Sequence, residues 1–223
     1  MEAIKPIYEE IENEINSLQH GVKIIAVTKQ VGIARTQEAI EAGIRHLGEN
    51  RPEGLLNKLS AIDANVEWHY IGNLQSRKVK DVINKIDYLH SLDRMSLAKE
   101  IQKRAEQPVK CFVQVNVSRE ETKSGFAPEE TLDFIKSLEA FDKIQVVGLM
   151  TMAPNTDNDS VIRDVFKTLK SLQLRIAAEQ LPHAPCNECS MGMSNDYRIA
   201  VQEGATFVRI GTALVGAESE ASE

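Results

Sequence analysis

A chain of 223 residues, 42% hydrophobic and 26% charged, has the composition of an ordinary globular protein and a length that one domain accommodates. A formal net charge of -7, a pI near 5.4 and the lack of any lysine- and arginine-rich run exclude a phosphodiester-binding surface as its organising feature. No apolar stretch is long enough to span a bilayer and residues 1–17 lack the apolar core of a signal peptide, so neither nucleic acid nor membrane is expected as a partner, and the cytoplasm is the expected compartment.

The first predicted element is a helix over about residues 3–18, because Ile4, Ile7, Ile11, Ile15 and Leu18 recur three or four apart before His20-Gly21 closes the segment. From Lys23 onward short runs rich in Val and Ile alternate with stretches of helical period. The runs predict eight strands, at 23–28, 46–49, 67–71, 88–92, 110–117, 144–152, 188–191 and 206–210. Helices are seeded between them at 36–42, 52–60, 75–83, 95–105, 128–140, 158–179 and 195–203. Strand-then-helix alternation dictates a parallel sheet, and eight units point to a closed (β/α)8 TIM barrel of the α/β class. After the eighth strand comes only a short acidic tail at about 217–223, so the N-terminal helix is expected to cover the gap left in the outer ring. No linker composition divides the chain, which predicts a single domain over 1–223.

Cys111, Cys186 and Cys189 are too few for a disulfide framework. The Cys186-x-x-Cys189 pair, even with His183, falls short of the four ligands of a structural zinc, so no metal site is expected and the pair reads as free thiols at a strand entry.

Chemistry in such barrels sits at the carboxyl ends of the strands. Those ends carry Thr28-Lys29, Gly48-Glu49-Asn50, Gly72-Asn73, Asn116-Val117-Ser118, Met150-Thr151-Met152, Ser190 to Ser194 and Arg209 to Thr212, all expected to converge on one mouth. Lys29 follows an apolar run, and partial desolvation there would favour a neutral, nucleophilic amine; equally, it reads as a strand-end lysine extending to water. The Ser190 to Asp196 loop, with the Ser194 hydroxyl, and Gly211-Thr212 follow strands seven and eight, where barrels often bind phosphate at a helix N-terminus; two ordinary tight turns is the other reading. Arg209 in an apolar strand needs a partner, either Glu49 or another rim carboxylate, or a ligand. His69 reads as a rim acid-base group or as a hydrogen-bonded packing residue, the latter better matching its spacing.

Eight segments carry a family resemblance: Ala26-Val27-Thr28-Lys29, Gly48-Glu49-Asn50, Trp68 to Gln75, Gln114 to Val117, Thr122 to Phe126, Gly148 to Met152, Ser190 to Asp196 and Arg209 to Gly216. In this order they resemble the YggS/PROSC family of proteins that bind pyridoxal 5'-phosphate (PLP) and serve PLP homeostasis. The resemblance implies a barrel like the N-terminal domain of alanine racemase with an extra N-terminal helix, and PLP held as an aldimine on Lys29. It also implies phosphate contacts from Ser194 and the backbone of Gly211 and Thr212, Arg209 at the pyridine nitrogen, Asn50 near the ring, and Met193 among the cofactor-binding residues. Asn73, where the family often has histidine, and Arg51-Pro52 at the helix entry depart from the pattern.

An arginine at the ring nitrogen disfavours protonation there and weakens the cofactor as an electron sink. A racemase of this fold also needs a second base from another domain and subunit, whereas this sequence ends at the barrel. The expected function is therefore a monomeric PLP carrier without catalytic residues, its recipients being apo forms of PLP-dependent enzymes. Two alternatives remain open: a PLP-dependent amino-acid racemase using Lys29 as its single base, and a Schiff-base aldolase acting on a phosphorylated sugar.

Overall fold

The computed structural model describes residues 1–218. Eight parallel strands, β1 (Lys23–Val27), β2 (His46–Glu49), β3 (Glu67–Tyr70), β4 (Tyr88–Leu92), β5 (Val109–Gln114), β6 (Ile144–Met150), β7 (Glu188–Ser190) and β8 (Phe207–Ile210), close in sequence order into a barrel. Around it lie α1 (Ile4–Leu18), α2 (Ile33–Glu41), α3 (Pro52–Ala61), α4 (Val79–Val82), α5 (Met95–Arg104), α6 (Pro128–Ser137), α7 (Asp159–Ala178), α8 (Tyr197–Gln202) and α9 (Thr212–Val215). The expected α/β barrel and its extra N-terminal helix are both present.

The strands read as continuous apolar runs because both of their faces are buried. Outward residues such as Ile24, Ala26, Leu47, Val113 and Val208 join the large core beneath the helices. Inward residues alternate with them. Ile25, Tyr88, Phe112, Met150 and Phe207 form a separate cluster that fills the barrel itself. Because Ile25 and Val27 share the inward face at period two, β1 packs Ile25 into the interior, brings Val27 to the mouth and ends just before the turn that carries Lys29.

Helix α1 buries Ile4, Ile11 and Ile15 and occupies the gap beside the four-residue α9, as expected. Arg35 of α2 donates to the Glu2 carbonyl at 2.8 Å, and Tyr197 of α8 donates to the Glu14 carboxylate at 3.0 Å, tying α1 to its neighbours on both sides. Of the expected acidic tail, residues 219–223 lie outside the described ones. Glu218, still described, accepts from the Gly32 N–H at 2.8 Å.

Strand β6 ends at Met150, two residues before its expected end, and α2 starts at Ile33, three residues before its seed; three further differences bear on the mouth. The segment expected as one helix over 75–83 is a 3-10 turn (Ser76–Lys78) running into one turn of α4. Strand β5 stops at Gln114, and Val115 to Ser118 bend into a loop that still buries Val115, so hydropathy alone reads as a longer strand. Helix α8 starts at Tyr197, because the Met193 carbonyl accepts from both Asp196 and Tyr197 and makes a turn of the preceding residues.

Candidate functional site at the barrel mouth

A cavity of about 740 Å³ opens at the carboxyl ends of the strands, lined among others by Lys29, Asn50, Met193, Ser194, Arg209, Gly211 and Thr212. Every residue singled out from the sequence as cofactor-binding thus lines one space. Ile71 and Asn73 reach it by the same period-two alternation that puts His69 inside the barrel.

Lys29 sits in the turn after β1 and is exposed. The expected burial along packed strand ends is therefore not found. The residues beneath it are buried instead. The Thr28 hydroxyl donates to Glu49 at 3.1 Å, and Lys58 of α3 bonds both to Glu49 and to the Thr28 carbonyl. Glu49 is therefore committed behind the β1–β2 edge and is not a rim carboxylate.

Arg209, 4% exposed, consequently pairs elsewhere. It donates to Ser190 Oγ at 2.5 Å and to the Thr151 carbonyl at 3.1 Å. Burial pulls its pKa down to about 10, against the charge of Asp196, so the guanidinium stays protonated at neutral pH. The fork is fixed from behind while the residue lines the cavity.

The two loops expected to meet a phosphate do come together: the Ala213 N–H donates to Ser194 Oγ at 3.4 Å. Helix α8 begins two residues later than expected, at Tyr197, and is six residues long, so the Ser194 to Asp196 stretch is a turn ahead of it. The Met193 N–H is taken by the Asp196 carboxylate at 2.7 Å, and burial raises the pKa of that carboxyl.

Not every strand end faces the mouth. The Asn116 amide closes its own loop by donating to the Glu120 carbonyl at 2.8 Å, and the Thr151 hydroxyl donates to the Val115 carbonyl at 2.7 Å. Alternation from Met150 places Thr151 on the outer side, whereas Asn116, of the same parity as Gln114, lies beyond the end of β5 and is held within its own loop. Sequence reasoning missed Gln114, Asn155, Thr156, Asp157 and Asp159, which also line the cavity. Gln114 is the inward residue at the end of β5, and period two from Phe112 is the signal that points to it.

His69 is fully buried inside the barrel, hydrogen-bonded to other histidines, and is not a rim group. The cysteines are free and buried, and burial pushes the thiols of Cys111, Cys186 and Cys189 up to about 12. No helix among the described residues is long and apolar enough to cross a membrane.

A closed parallel barrel with an extra N-terminal helix, a lysine in the turn after β1 and paired loops after β7 and β8 defines a class of protein. The family model for the alanine racemase N-terminal domain matches residues 3–219. The chain is 38% identical over 227 residues to the pyridoxal phosphate homeostasis protein of Aquifex aeolicus, covering 96% of each. It superposes on PipY of Synechococcus elongatus, at 31% identity, with a TM-score of 0.88 on the form without PLP, covering 96% of this chain and 100% of that one. On the form with PLP bound the TM-score is 0.85, covering 94% and 100%. Alanine racemase from Corynebacterium glutamicum shares the fold, with a TM-score of 0.71 and 16% identity over 99% of this chain and 62% of that one. The chain belongs to the family of pyridoxal phosphate homeostasis proteins.

Proposed function

We propose that the chain binds PLP reversibly, as a Schiff base on Lys29, and serves intracellular PLP homeostasis as a carrier and not as a catalyst. The observation that carries this reading is the common cavity of Lys29, Arg209, Ser194, Gly211 and Thr212, which offers an amine, a cation and two loops to an aldehyde that also bears a ring nitrogen and a phosphate. The Gln114 Oε1 atom supports the fit: it is buried on this cavity without a partner among the described residues, and a donor on the occupant would satisfy it. Bound PLP supplies an electrophilic carbonyl carbon and an electron sink. Arg209, on the resemblance, would face the ring nitrogen, and its positive charge would disfavour protonation there, which would favour holding the cofactor over carbanion chemistry.

The relatives' name and the PLP in PipY support the same reading. The racemase alternative has behind it a likeness of fold at 16% identity. Exposure of Lys29 suits exchange with an incoming amine, so transfer to apo-enzymes by a monomeric, cytoplasmic carrier belongs to the proposal.

The test is an absorbance spectrum with PLP, borohydride trapping and peptide mapping beside Lys29→Ala. A visible band and a phosphopyridoxyl adduct confined to Lys29, with no exchange of an amino acid's α-hydrogen, is the expected result. No band, or an adduct spread over surface lysines, would overturn it; rapid α-hydrogen exchange would make the protein an enzyme.

A further inference from the structure

Below the cavity an unbroken run of polar contacts crosses the barrel interior. Arg209 donates to Ser190 Oγ at 2.5 Å, and Ser190 Oγ lies 2.8 Å from His90 Nδ1. His90 Nε2 lies 2.8 Å from His69 Nδ1, and His69 Nε2 lies 2.9 Å from His46 Nδ1. His46 and Glu67 open β2 and β3 at the barrel floor, the carboxylate 3.5 Å from His46 Nδ1. His69 stacks on Tyr88 and His90 on Phe112, with centroids 4.5 Å and 4.3 Å apart, which holds both rings in place.

Counting donors sets the direction of the run. Ser190 Oγ already accepts from Arg209, and the acceptor available to its own hydrogen is His90 Nδ1. His69 and His90 are buried far from water, which holds them neutral with one N–H each. His90 therefore donates from Nε2 to His69 Nδ1, and His69 donates from Nε2 to His46 Nδ1. At the floor this leaves an acceptor facing an acceptor, because Glu67 Oε2 is a buried atom without a hydrogen-bond partner among the described residues.

A proton on His46 Nδ1 would set a cation 3.5 Å from that carboxylate in place of an acceptor, and would reverse the run. The new N–H requires His69 Nε2 to accept, so His69 carries its proton on Nδ1 and donates to His90 Nε2. His90 then donates from Nδ1 to Ser190 Oγ. One proton is taken up in all; His69 and His90 each keep one, and the Ser190 hydrogen must turn away. Around His46, Glu67 and Asp87 favour the proton, while burial and Lys23 oppose it. Lys23 and Lys110 face His69, Arg209 faces His90, and Asp196 faces Arg209.

We propose that His46, His69 and His90 form a tautomeric relay that couples proton occupancy at the floor pair His46–Glu67 to the Ser190 hydroxyl and so to the hydrogen bonding of Arg209. These are positioning residues: none of the three histidines lines the mouth cavity. The effect on the cofactor rests on the PLP reading above, whereas the relay itself does not. Ligand atoms of His46, Glu67 and His69 lie within 4.8 Å of one another, as a metal site would need. A metal there would, however, take the His69 Nε2 position that the relay uses.

The test is nitrogen-15 NMR of the imidazoles in the protein without PLP, as a function of pH. On acidification His46 gains a proton, and His69 and His90 exchange tautomers at the same midpoint while remaining neutral. Glu67→Gln lowers all three midpoints together, and His46→Phe abolishes the transition at His69 and His90. Titration of His46 alone, with constant signals from the other two, overturns the relay; so does stoichiometric zinc binding that His46→Phe removes. With PLP added, the visible band should change with the same midpoint and lose that change in His46→Phe. A band indifferent to His46→Phe overturns the coupling to the cofactor, whereas the lack of any band in the parent protein overturns the PLP reading and leaves the NMR result standing.

Discussion

The Lys58 ammonium and the Glu49 carboxylate form a buried ion pair behind the turn that presents Lys29, and Lys58 Nζ also donates to the Thr28 carbonyl, 2.5 Å away. The Thr28 hydroxyl donates to the same carboxylate, so α3 and the ends of β1 and β2 are joined at one point. The exposed lysine thus follows a stretch of chain that is held in place. An ion pair at this depth adds little net stability over an apolar replacement, but breaking it from one side leaves a buried charge.

Lys58→Met should therefore lower unfolding free energy by about 3–5 kcal/mol, the usual loss when one partner of a buried pair is removed. Adding Glu49→Gln should recover much of that loss, since the orphaned charge goes with it. Denaturant titration of the single and double variants measures both effects. A double variant no more stable than Lys58→Met would show that the loss comes from packing of the lysine stem instead of the pair.

The buried histidines make stability pH-dependent. Burial holds the folded-state pKa of His69 and His90 well below the ordinary 6.5, while the unfolded chain titrates near that value. Below it the unfolded state binds more protons, so their stabilising contribution, complete above 6.5, falls as the pH falls. The slope is about 1.4 kcal/mol per pH unit for each histidine until its folded-state pKa is reached. Asp196, its carboxyl pKa raised by burial, acts in the opposite sense at lower pH. Denaturation midpoints at pH 7.5 and 5.5 should differ accordingly, and His90→Phe, which keeps the stack on Phe112, should flatten the difference.

The strand-helix alternation, the closure and the position of Lys29 were legible because each depends on local hydrophobic period, and the apolar run of β1 ends just before Lys29, which puts the lysine in the turn at the mouth. Glu49 was misread as a rim group because its partner Lys58 sits one helix away, at a separation that alternation does not encode. The run from His46 to Arg209 was invisible for the same reason. It joins β2, β3, β4, β7 and β8, and only closure of the barrel brings those strands around one axis.

Arg209→Lys tests whether a planar fork is needed. One guanidinium reaches both Ser190 Oγ and the Thr151 carbonyl from different nitrogens, which a single ammonium cannot reproduce in the same geometry. A buried acceptor left unpaired costs about 1–3 kcal/mol, so a stability loss in that range and an affinity for PLP lower by roughly tenfold or more are expected. Unfolding and PLP titration of the same preparation measure the two. Unchanged affinity with lowered stability would make Arg209 a core residue and remove it from the cofactor's surroundings.

Gly72→Ala should damage the mouth through backbone contact alone. A Cβ at Gly72 would stand 2.2 Å from the Asn50 carbonyl oxygen, and both residues line the cavity. The oxygen belongs to the main chain and cannot swing aside, so the ends of β2 and β3 must part, at a cost of about 1–3 kcal/mol for such overpacking. Gly211→Ala is the contrast, because a Cβ there meets Val27 no closer than 3.6 Å and should change stability by about 0.5 kcal/mol or less. Thermal unfolding separates the two variants. If Asn50 neighbours the cofactor ring, PLP titration of Gly72→Ala should show weaker binding as well; normal affinity in a destabilised Gly72→Ala would show that the ring does not depend on the Asn50 end of β2.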